Sequence, residues 1–180
     1  MGKNNANHQI FHSFCLNPNI SFDGQDADEY PILVLRAHPV TQLPCLFNSF
    51  FLILFVLFLN FFLPKYLDFY QVIFVNFFGL SLIFSYLYFN FMNWFFNVGI
   101  ITNKRVLDID FYGLIYKETT IATLIKVEDI TVKVGGFFSS FFDYGNVFIQ
   151  TAGAETNIEF INIPKPQEVA KIINQLLKNG

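Results

Sequence analysis

Residues 44–63 read PCLFNSFFLILFVLFLNFFL, and this stretch decides the architecture of the chain. Fifteen of its twenty residues are Leu, Ile, Phe or Val, and none is Asp, Glu, Lys, Arg or His. A helix of this length measures roughly 30 Å, which is the thickness of the hydrocarbon core of a bilayer. The stretch therefore predicts a first transmembrane helix over residues 44–63. The alternative is the buried core helix of a soluble protein, although core helices that are apolar on every side are usually shorter.

A second apolar run starts at Tyr70 and meets no charged residue before Lys104. As one helix it would be roughly 50 Å long, which is too long for a bilayer, so we expect the structure to change partway. Helix propensity drops at Asn93 and Asn97, after a stretch that is already long enough to span. We therefore predict a second transmembrane helix over residues 70–91.

The connection between the two apolar runs is the six-residue segment PKYLDF at positions 64–69. Such a short connection predicts a tight helical hairpin with both soluble ends of the chain on one side of the membrane. Lys and Arg near the ends of spans favour the cytoplasm. The hairpin has only Lys65, whereas the basic residues beside the soluble ends are Arg36, Lys104, Arg105 and Lys117. We expect an integral protein of the cell membrane with both termini in the cytoplasm.

The composition agrees with a membrane protein. Of the 180 residues, 53% are hydrophobic, 19% aromatic and 14% charged, whereas soluble domains carry about 25% charged residues. Disordered chains have low hydrophobicity and high net charge, and disulfide scaffolds are rich in Cys, of which this chain has two. The net charge of −3 excludes the basic surface of a nucleic-acid-binding protein. The predicted partner is the lipid bilayer and not nucleic acid.

The polar side chains inside the apolar runs include Asn60 and Asn76, at similar depths near the hairpin. Amides in lipid seek hydrogen-bond partners. These two either join the hairpin, join two copies of the chain, or occur by chance in an Asn-rich composition. Deep in the two runs there is no Asp, Glu, Lys, Arg or His, which argues against a proton pathway or an ion pump.

After the second run the hydrophobic pattern changes to a period of two, which predicts six or seven antiparallel strands. The phase slips at Asp129, which indicates a bulge, and from Pro166 a helical spacing predicts a C-terminal helix. We therefore expect an α+β membrane protein, in which a two-helix transmembrane hairpin precedes a small antiparallel β-barrel or sandwich capped by the C-terminal helix, residues 94–178. Residues 1–28 predict a polar, disordered tail and residues 29–43 a short arm before the membrane.

Four segments resemble a known family in their order around two spans. They are ITNKRV at residues 101–106, YGNVFIQTAG at residues 144–153, IPKP at residues 163–166, and the arm at residues 29–44. Together they are similar to the bacterial pleckstrin-homology-like (PH-like) domains found beside paired membrane spans. The resemblance covers residues 29–177 and implies a PH-like fold for the soluble part.

The resemblance implies structural motif residues and little about function, because this fold hosts many roles. The motif residues are Thr102, Asn103, Arg105, Gly145, Thr151 and Gly153.

Sequence motifs for chemistry are weak. His8, His12 and Cys15 have a spacing that occurs in metal sites, but no fourth ligand lies nearby. His38 has no Ser, Cys or carboxylate at a telling position, so we interpret it as a polar residue of the arm. The sequence contains no nucleophile elbow, phosphate loop or paired carboxylates in a plausible pocket. We predict no metal, no cofactor and no catalytic residue, and a protein that is not an enzyme.

Two groups of residues are candidates for contact with a partner or with lipid. Lys104 and Arg105 are too few for phosphate recognition, which needs several converging cations, and acidic residues follow them closely. We interpret them instead as the basic flank that holds the second span in place. The aromatic group consists of Phe137, Phe138, Phe141 and Phe142. It could dip into the lipid interface or bind a partner, but packing beneath the barrel is favoured.

The function that these observations favour is a non-catalytic adaptor or scaffold at the cytoplasmic face, with a protein partner that the sequence does not identify. The alternative is binding of a lipid head group, or sensing of the state of the membrane, by the PH-like domain. A homo-oligomer is compatible with either function.

Overall fold

The computed structural model describes residues 12–112, 116–152 and 157–179. It contains a pair of long helices and a β-rich part, which we call the head. The elements in chain order are β1 (Phe14–Leu16), β2 (Pro31–Leu35), α1 (Leu43–Leu59), α2 (Phe69–Phe96), β3 (Val98–Thr102), β4 (Arg105–Tyr112), β5 (Tyr116–Thr123), β6 (Val127–Lys133), α3 (Phe137–Phe141), β7 (Tyr144–Thr151), β8 (Ile158–Pro164) and α4 (Pro166–Asn179).

The two long helices are apolar and exposed. The segments Pro39–Lys65 and Phe69–Phe96 are long and apolar enough to cross a membrane, with mean hydropathies of 2.4 and 1.9. Within the apolar window of each, 6% is buried inside the protein. The alternative of a buried core helix in this chain, raised for residues 44–63, is therefore wrong, and the second helix is equally exposed.

The hairpin between the helices is longer than the sequence predicts. α1 ends at Leu59 instead of residue 63, because Asn60 begins a turn and Pro64 has no N–H to continue a helix. α2 begins one residue before the predicted span, and a capping box formed by Asp68 and Gln71 satisfies its first backbone groups.

The far end of α2 determines where the head resumes. The aromatic run continues the helix to Phe96, and Asn97 then adopts an extended backbone. Asn97 Oδ1 accepts a hydrogen bond from Phe111 N at 2.8 Å, which ties this end of the helix to the head. The part of the head that follows the helices therefore begins at Val98 and not at residue 94, where the sequence predicts it.

Two amides join the helices near the hairpin. Asn60 Nδ2 donates to Asn76 Oδ1 at 2.8 Å, and Asn76 Nδ2 donates to Asn60 Oδ1 at 2.7 Å. Each amide also donates to a carbonyl of its own helix, Val56 O and Val72 O. Of the alternatives left open by the sequence, the contact within the hairpin is the one that forms.

Replacement of either amide by Leu is expected to weaken the helix pair by about 0.6 kcal/mol, the average for an interhelical hydrogen bond in lipid. The double variant Asn60→Leu/Asn76→Leu should lose less than the sum of the single variants, since each single variant leaves one amide without its partner. Unfolding of the full chain by SDS in mixed micelles measures this coupling. Asn90→Leu is the control, because Asn90 donates to Tyr86 O of its own helix. A loss in the double variant equal to the sum of the two single losses would contradict a direct contact between Asn60 and Asn76.

The head is built from two antiparallel sheets and the C-terminal helix. One sheet has the strand order β1-β2-β3-β4-β5 and the other β6-β7-β8. The strand register shifts between Val127 and Asp129, which confirms the predicted bulge. Both sheets and α4 share one hydrophobic core, whose most buried members include Leu33, Leu35, Ile101, Val106, Val147, Ile149, Val169 and Ile173.

The segment before the helices belongs to the head. β2 lies inside the five-stranded sheet between β1 and β3, and its Leu33 and Leu35 are fully buried. Phe14 of β1 packs against the same core. Five residues of the predicted arm thus form a strand inside the sheet, and the prediction of a disordered tail is wrong for residues 12–28. The physical reason is that these short apolar segments complete a core whose other half lies beyond residue 97.

The pairing of β2 with β3 defines two ends of the head. Leu35 pairs with Gly99 beside the start of α1 and the end of α2, and we call this the helix-proximal end. Pro31 pairs with Thr102 at the opposite, helix-distal end. At about 3.3 Å per residue the two ends lie roughly 10–15 Å apart.

Candidate functional site

Two of the motif residues form a buried ion-pair cluster at the helix-distal end. Arg105 donates to Glu29 through Nε to Oε1 at 2.9 Å and through Nη2 to Oε2 at 2.8 Å. Thr102 Oγ1 donates to Glu29 Oε1 at 2.7 Å. Burial of the Glu29 carboxylate acts to raise its pKa, but the hydrogen bonds from Arg105 and Thr102 outweigh this effect and lower the pKa. The cluster ties the segment before the helices to the first hairpin after them.

The neighbouring basic residue is also engaged within the chain. Lys104 Nζ lies 2.6 Å from Asp28 Oδ1 and 3.5 Å from Asp26 Oδ2. Asn103 Oδ1 accepts a hydrogen bond from Tyr30 N at 3.0 Å. Lys104 and Arg105 do not lie directly at the end of the second span, because β3 intervenes and carries them to the helix-distal end. Their positive charges face carboxylates of the N-terminal segment.

Two of the later motif residues lie in β7. A Cβ atom added to Gly145 would lie 2.8 Å from Lys133 O, so only glycine fits between β7 and the end of β6. Thr151 is buried at the other end of β7. Gly153 lies outside the described residues.

The helix-proximal end holds a joint between the head and the helix pair, formed by Ala37, His38, Trp94 and Asn162. Trp94 Nε1 donates to Ala37 O at 2.8 Å, and His38 N donates to Asn162 O at 2.7 Å. The His38 imidazole accepts a hydrogen bond from Val40 N through Nδ1, which caps the turn leading into α1. Burial lowers the pKa of His38, against a smaller opposite effect of Asp143. The arm residue predicted to be merely polar is therefore part of this joint.

An acidic cavity of about 320 Å³ opens beside the joint. Its lining includes Arg36, Asp108, Asp110 and Glu159. Asp108 and Asp110 are two residues apart on β4 and therefore lie on one face of the sheet, the face that carries the core residue Val106. Sequence reasoning missed this cavity, although the period-two spacing of the two aspartates was its signal.

The acidic cavity changes the protonation of its carboxyl groups. Burial, followed by repulsion from Asp110, Glu118 and Glu159, raises the pKa of Asp108 to about 7. Burial and the charge of Glu118 raise the pKa of Asp110 as well. Chemically, the cavity holds Asp108, which gains a proton as the pH falls towards neutrality, and its described lining contains no Ser, Thr, Cys or His to serve as a nucleophile.

The aromatic group lies outside the core. Phe137, Phe138 and Phe141 of α3 are 79%, 64% and 72% exposed, and Phe142 is 37% exposed. The favoured prediction that they pack beneath the barrel is therefore wrong. The ring centroids of Phe142 and His38 are 6.3 Å apart, which places α3 at the helix-proximal end.

The proposed metal spacing can be followed only in part. His12 and Cys15 belong to the described residues, whereas His8 does not. Within residues 12–112, 116–152 and 157–179, no three His, Cys, Asp or Glu residues come together in a way that could hold a metal ion.

The chain is similar to known proteins in its fold and in its sequence. A crystal structure of a DUF1696 family protein with a pleckstrin-homology domain, from Shewanella loihica, is similar to this chain with 18% sequence identity and a TM-score of 0.34. The similarity covers 46% of this chain and 68% of that chain. None of the curated proteins matches significantly. The family model described as bacterial PH domain matches residues 49–177, from within α1 to the end of the head. Because this match extends over well more than half of the chain, the protein belongs to the bacterial PH domain family.

Proposed function

We propose that the helix pair crosses the cell membrane and that the head acts as a non-catalytic adaptor at its cytoplasmic face. The exposed apolar surfaces of α1 and α2 support the crossing, since water would not solvate them. The preponderance of Lys and Arg beyond the head ends of the helices, against Lys65 alone in the hairpin, supports the orientation.

One observation carries the adaptor function: the five-stranded sheet contains strands from both sides of the helix pair. β2 precedes α1, β3 follows α2, and the two strands pair directly. At the joint, Trp94 Nε1 of α2 donates a hydrogen bond to Ala37 O, which lies before α1. The head therefore cannot swing on a linker, and it holds its surfaces at a constant orientation to the membrane. A constant orientation suits a protein that presents a docking edge to a partner.

The edge best placed for a protein partner is β5, the outer strand of the five-stranded sheet. Its side chains are mostly exposed, with Tyr116 at 60% and Ile121 at 48%. An extended segment of a partner can pair with the backbone of such an edge while its side chains contact these residues. Head-group binding by Lys104 and Arg105 is the less favoured function, because both already pair with carboxylates.

Membrane crossing is tested by cysteine labelling of intact cells that express the full chain in a Cys15→Ser/Cys45→Ala background. Tyr66→Cys, in the hairpin and 77% exposed, should react with an impermeant thiol reagent from outside. Ile125→Cys, in the head and 90% exposed, should react only after lysis. Reaction of Ile125→Cys in intact cells, or extraction of the protein by alkaline carbonate, would refute the proposal.

The adaptor function is tested by a photo-crosslinking amino acid placed at Thr119 in β5, an exposed position. We expect one discrete heterologous adduct in cells. The control position is Lys171, exposed on α4, which should give none. No adduct at position 119, or identical adducts at both positions, would argue against partner binding at this edge.

A further inference from the structure

We propose that α3 is a second membrane contact, whose Phe137, Phe138 and Phe141 side chains insert into the interfacial layer of the bilayer that the helix pair crosses. This inference rests on the proposed crossing and adds a lipid-facing surface to the head. Its occupant is the lipid interface itself, not a head group held by a charged pocket.

α3 exposes an aromatic surface to solvent. Phe137 and Phe141 are four residues apart on the helix, and their rings stack with centroids 6.3 Å apart. The Phe138 ring meets the Phe137 ring edge to face at 5.8 Å. The three side chains form one apolar patch that is between 64% and 79% exposed. A patch of three large aromatic side chains on a five-residue helix is costly in water and points to an apolar environment.

The backbone on either side of α3 directs this patch outward. Gly136 has a φ of +99° and Asp143 a φ of +52°, so the chain turns through the left-handed region at both ends of α3. The helix thereby leaves the end of the sheet instead of folding over the core. Between Lys133 and Asp143 the sequence VGGFFSSFF carries no charge, and no ionic group in the segment opposes entry into lipid.

The position of α3 close to the start of α1 favours lipid over a protein partner as its contact. The joint residue His38 lies between Phe142 at 6.3 Å and Tyr144 at 5.6 Å, measured between ring centroids. Pro39 follows at once and begins the segment that runs into α1. α3 therefore lies beside the point where the first helix enters the apolar layer. Interfacial helices bury Phe and Leu side chains of this kind at the boundary between lipid head groups and acyl chains.

The experiment uses the full chain in nanodiscs of phosphatidylcholine and phosphatidylglycerol, in the Cys15→Ser/Cys45→Ala background. An environment-sensitive NBD label is attached at Phe138→Cys. We expect a blue-shifted emission and quenching by lipids that carry a spin label at a shallow position. The matched control is the same label at Ile125→Cys, which is 90% exposed but helix-distal, and which should remain unshifted and unquenched.

A third label separates this inference from the proposed crossing. Phe55→Cys in the middle of α1 is 57% exposed and should be quenched by deep spin labels if the helix pair spans the bilayer. Quenching at position 55 without quenching at position 138 overturns the lipid contact and leaves the crossing intact. Absence of quenching at position 55 overturns the crossing. A label at position 138 that lipid spin labels do not quench in nanodiscs, but that is shielded from a water-soluble quencher in cells, would assign the patch to a protein partner. This result would also overturn the inference.

Discussion

Replacement of Arg105 by Ala is expected to destabilise the head by about 3–5 kcal/mol, because it leaves a buried carboxylate without its counter-charge. The Glu29 side chain is 0% exposed and Arg105 supplies two of its hydrogen bonds. In the variant the carboxylate keeps only the neutral donors Thr102 Oγ1 and Asp26 N. Urea unfolding of the full chain in mild detergent measures the loss, with Trp94 as the probe, since it is the single Trp of the chain and lies at the joint.

The matched control for this prediction is Lys104→Ala. Lys104 is the adjacent residue with the same charge, but its ion pairs with Asp26 and Asp28 are exposed to solvent and should contribute little to stability. The double variant Glu29→Leu/Arg105→Leu should recover most of the stability, since it removes both charges together. Equal losses for Arg105→Ala and Lys104→Ala would contradict the cluster.

The same cluster predicts sensitivity to acid. The pKa of Glu29 in the folded protein lies below its ordinary value of 4.5. Its stabilising contribution is therefore present above pH 4.5 and is lost as the pH falls through the folded pKa.

Replacement of Asp108 by Asn is expected to stabilise the head at pH 8, by an amount on the order of 2–4 kcal/mol. Burial and three neighbouring carboxylates raise the pKa of Asp108 from its ordinary 3.8 to about 7. The folded state thus binds this proton more tightly than the unfolded state does. The stability that the proton provides is fully present below pH 3.8, decreases as the pH rises, and is gone above about pH 7. Asn cannot ionise, so the variant avoids the loss.

The test is a comparison of urea unfolding at pH 5 and pH 8. The advantage of Asp108→Asn over the wild-type chain should shrink at pH 5, because the protonated aspartic acid resembles the amide. Glu128→Gln, on an exposed position of β6, should leave stability unchanged at both values. Because Asp108 and Asp110 interact, the pH profile reports the pair and not one residue. A variant that is less stable than the wild type at pH 8 would refute the assignment.

Several features of the fold were readable from local patterns. The length of the apolar runs predicted two long helices, and α1 and α2 differ from the predicted spans by a few residues at their ends. The phase slip at Asp129 predicted the bulge, and the spacing after Pro166 predicted α4. The matched depths of Asn60 and Asn76 left a contact within the hairpin as one of three alternatives, and this contact forms. Each of these signals arises from residues close in sequence or from the geometry of a single element.

Other features depend on contacts between distant segments. The alternation in β4 does not tell which face is inward, since Val106 and Leu107 are both buried. Five apolar residues at 31–35 look the same as a membrane-proximal arm until β3 is present to pair with them. A cluster of Phe residues has the composition of a core, and only the left-handed turns at Gly136 and Asp143 direct it outward.

The sequence by itself determined that this protein has two apolar helices, a β-rich head and a C-terminal cap, because hydrophobic length and period are local properties of a chain. Only the tertiary structure decided that the head begins before the helices, and that Lys104 pairs with Asp28 and Arg105 with Glu29 at the helix-distal end. It also decided that acidic groups and exposed aromatic rings gather at the helix-proximal end of the head. The physical reason is that charge pairing and burial are settled between residues separated by 70 or more positions, such as Glu29 and Arg105, whose separation is 76, and no local pattern contains that information.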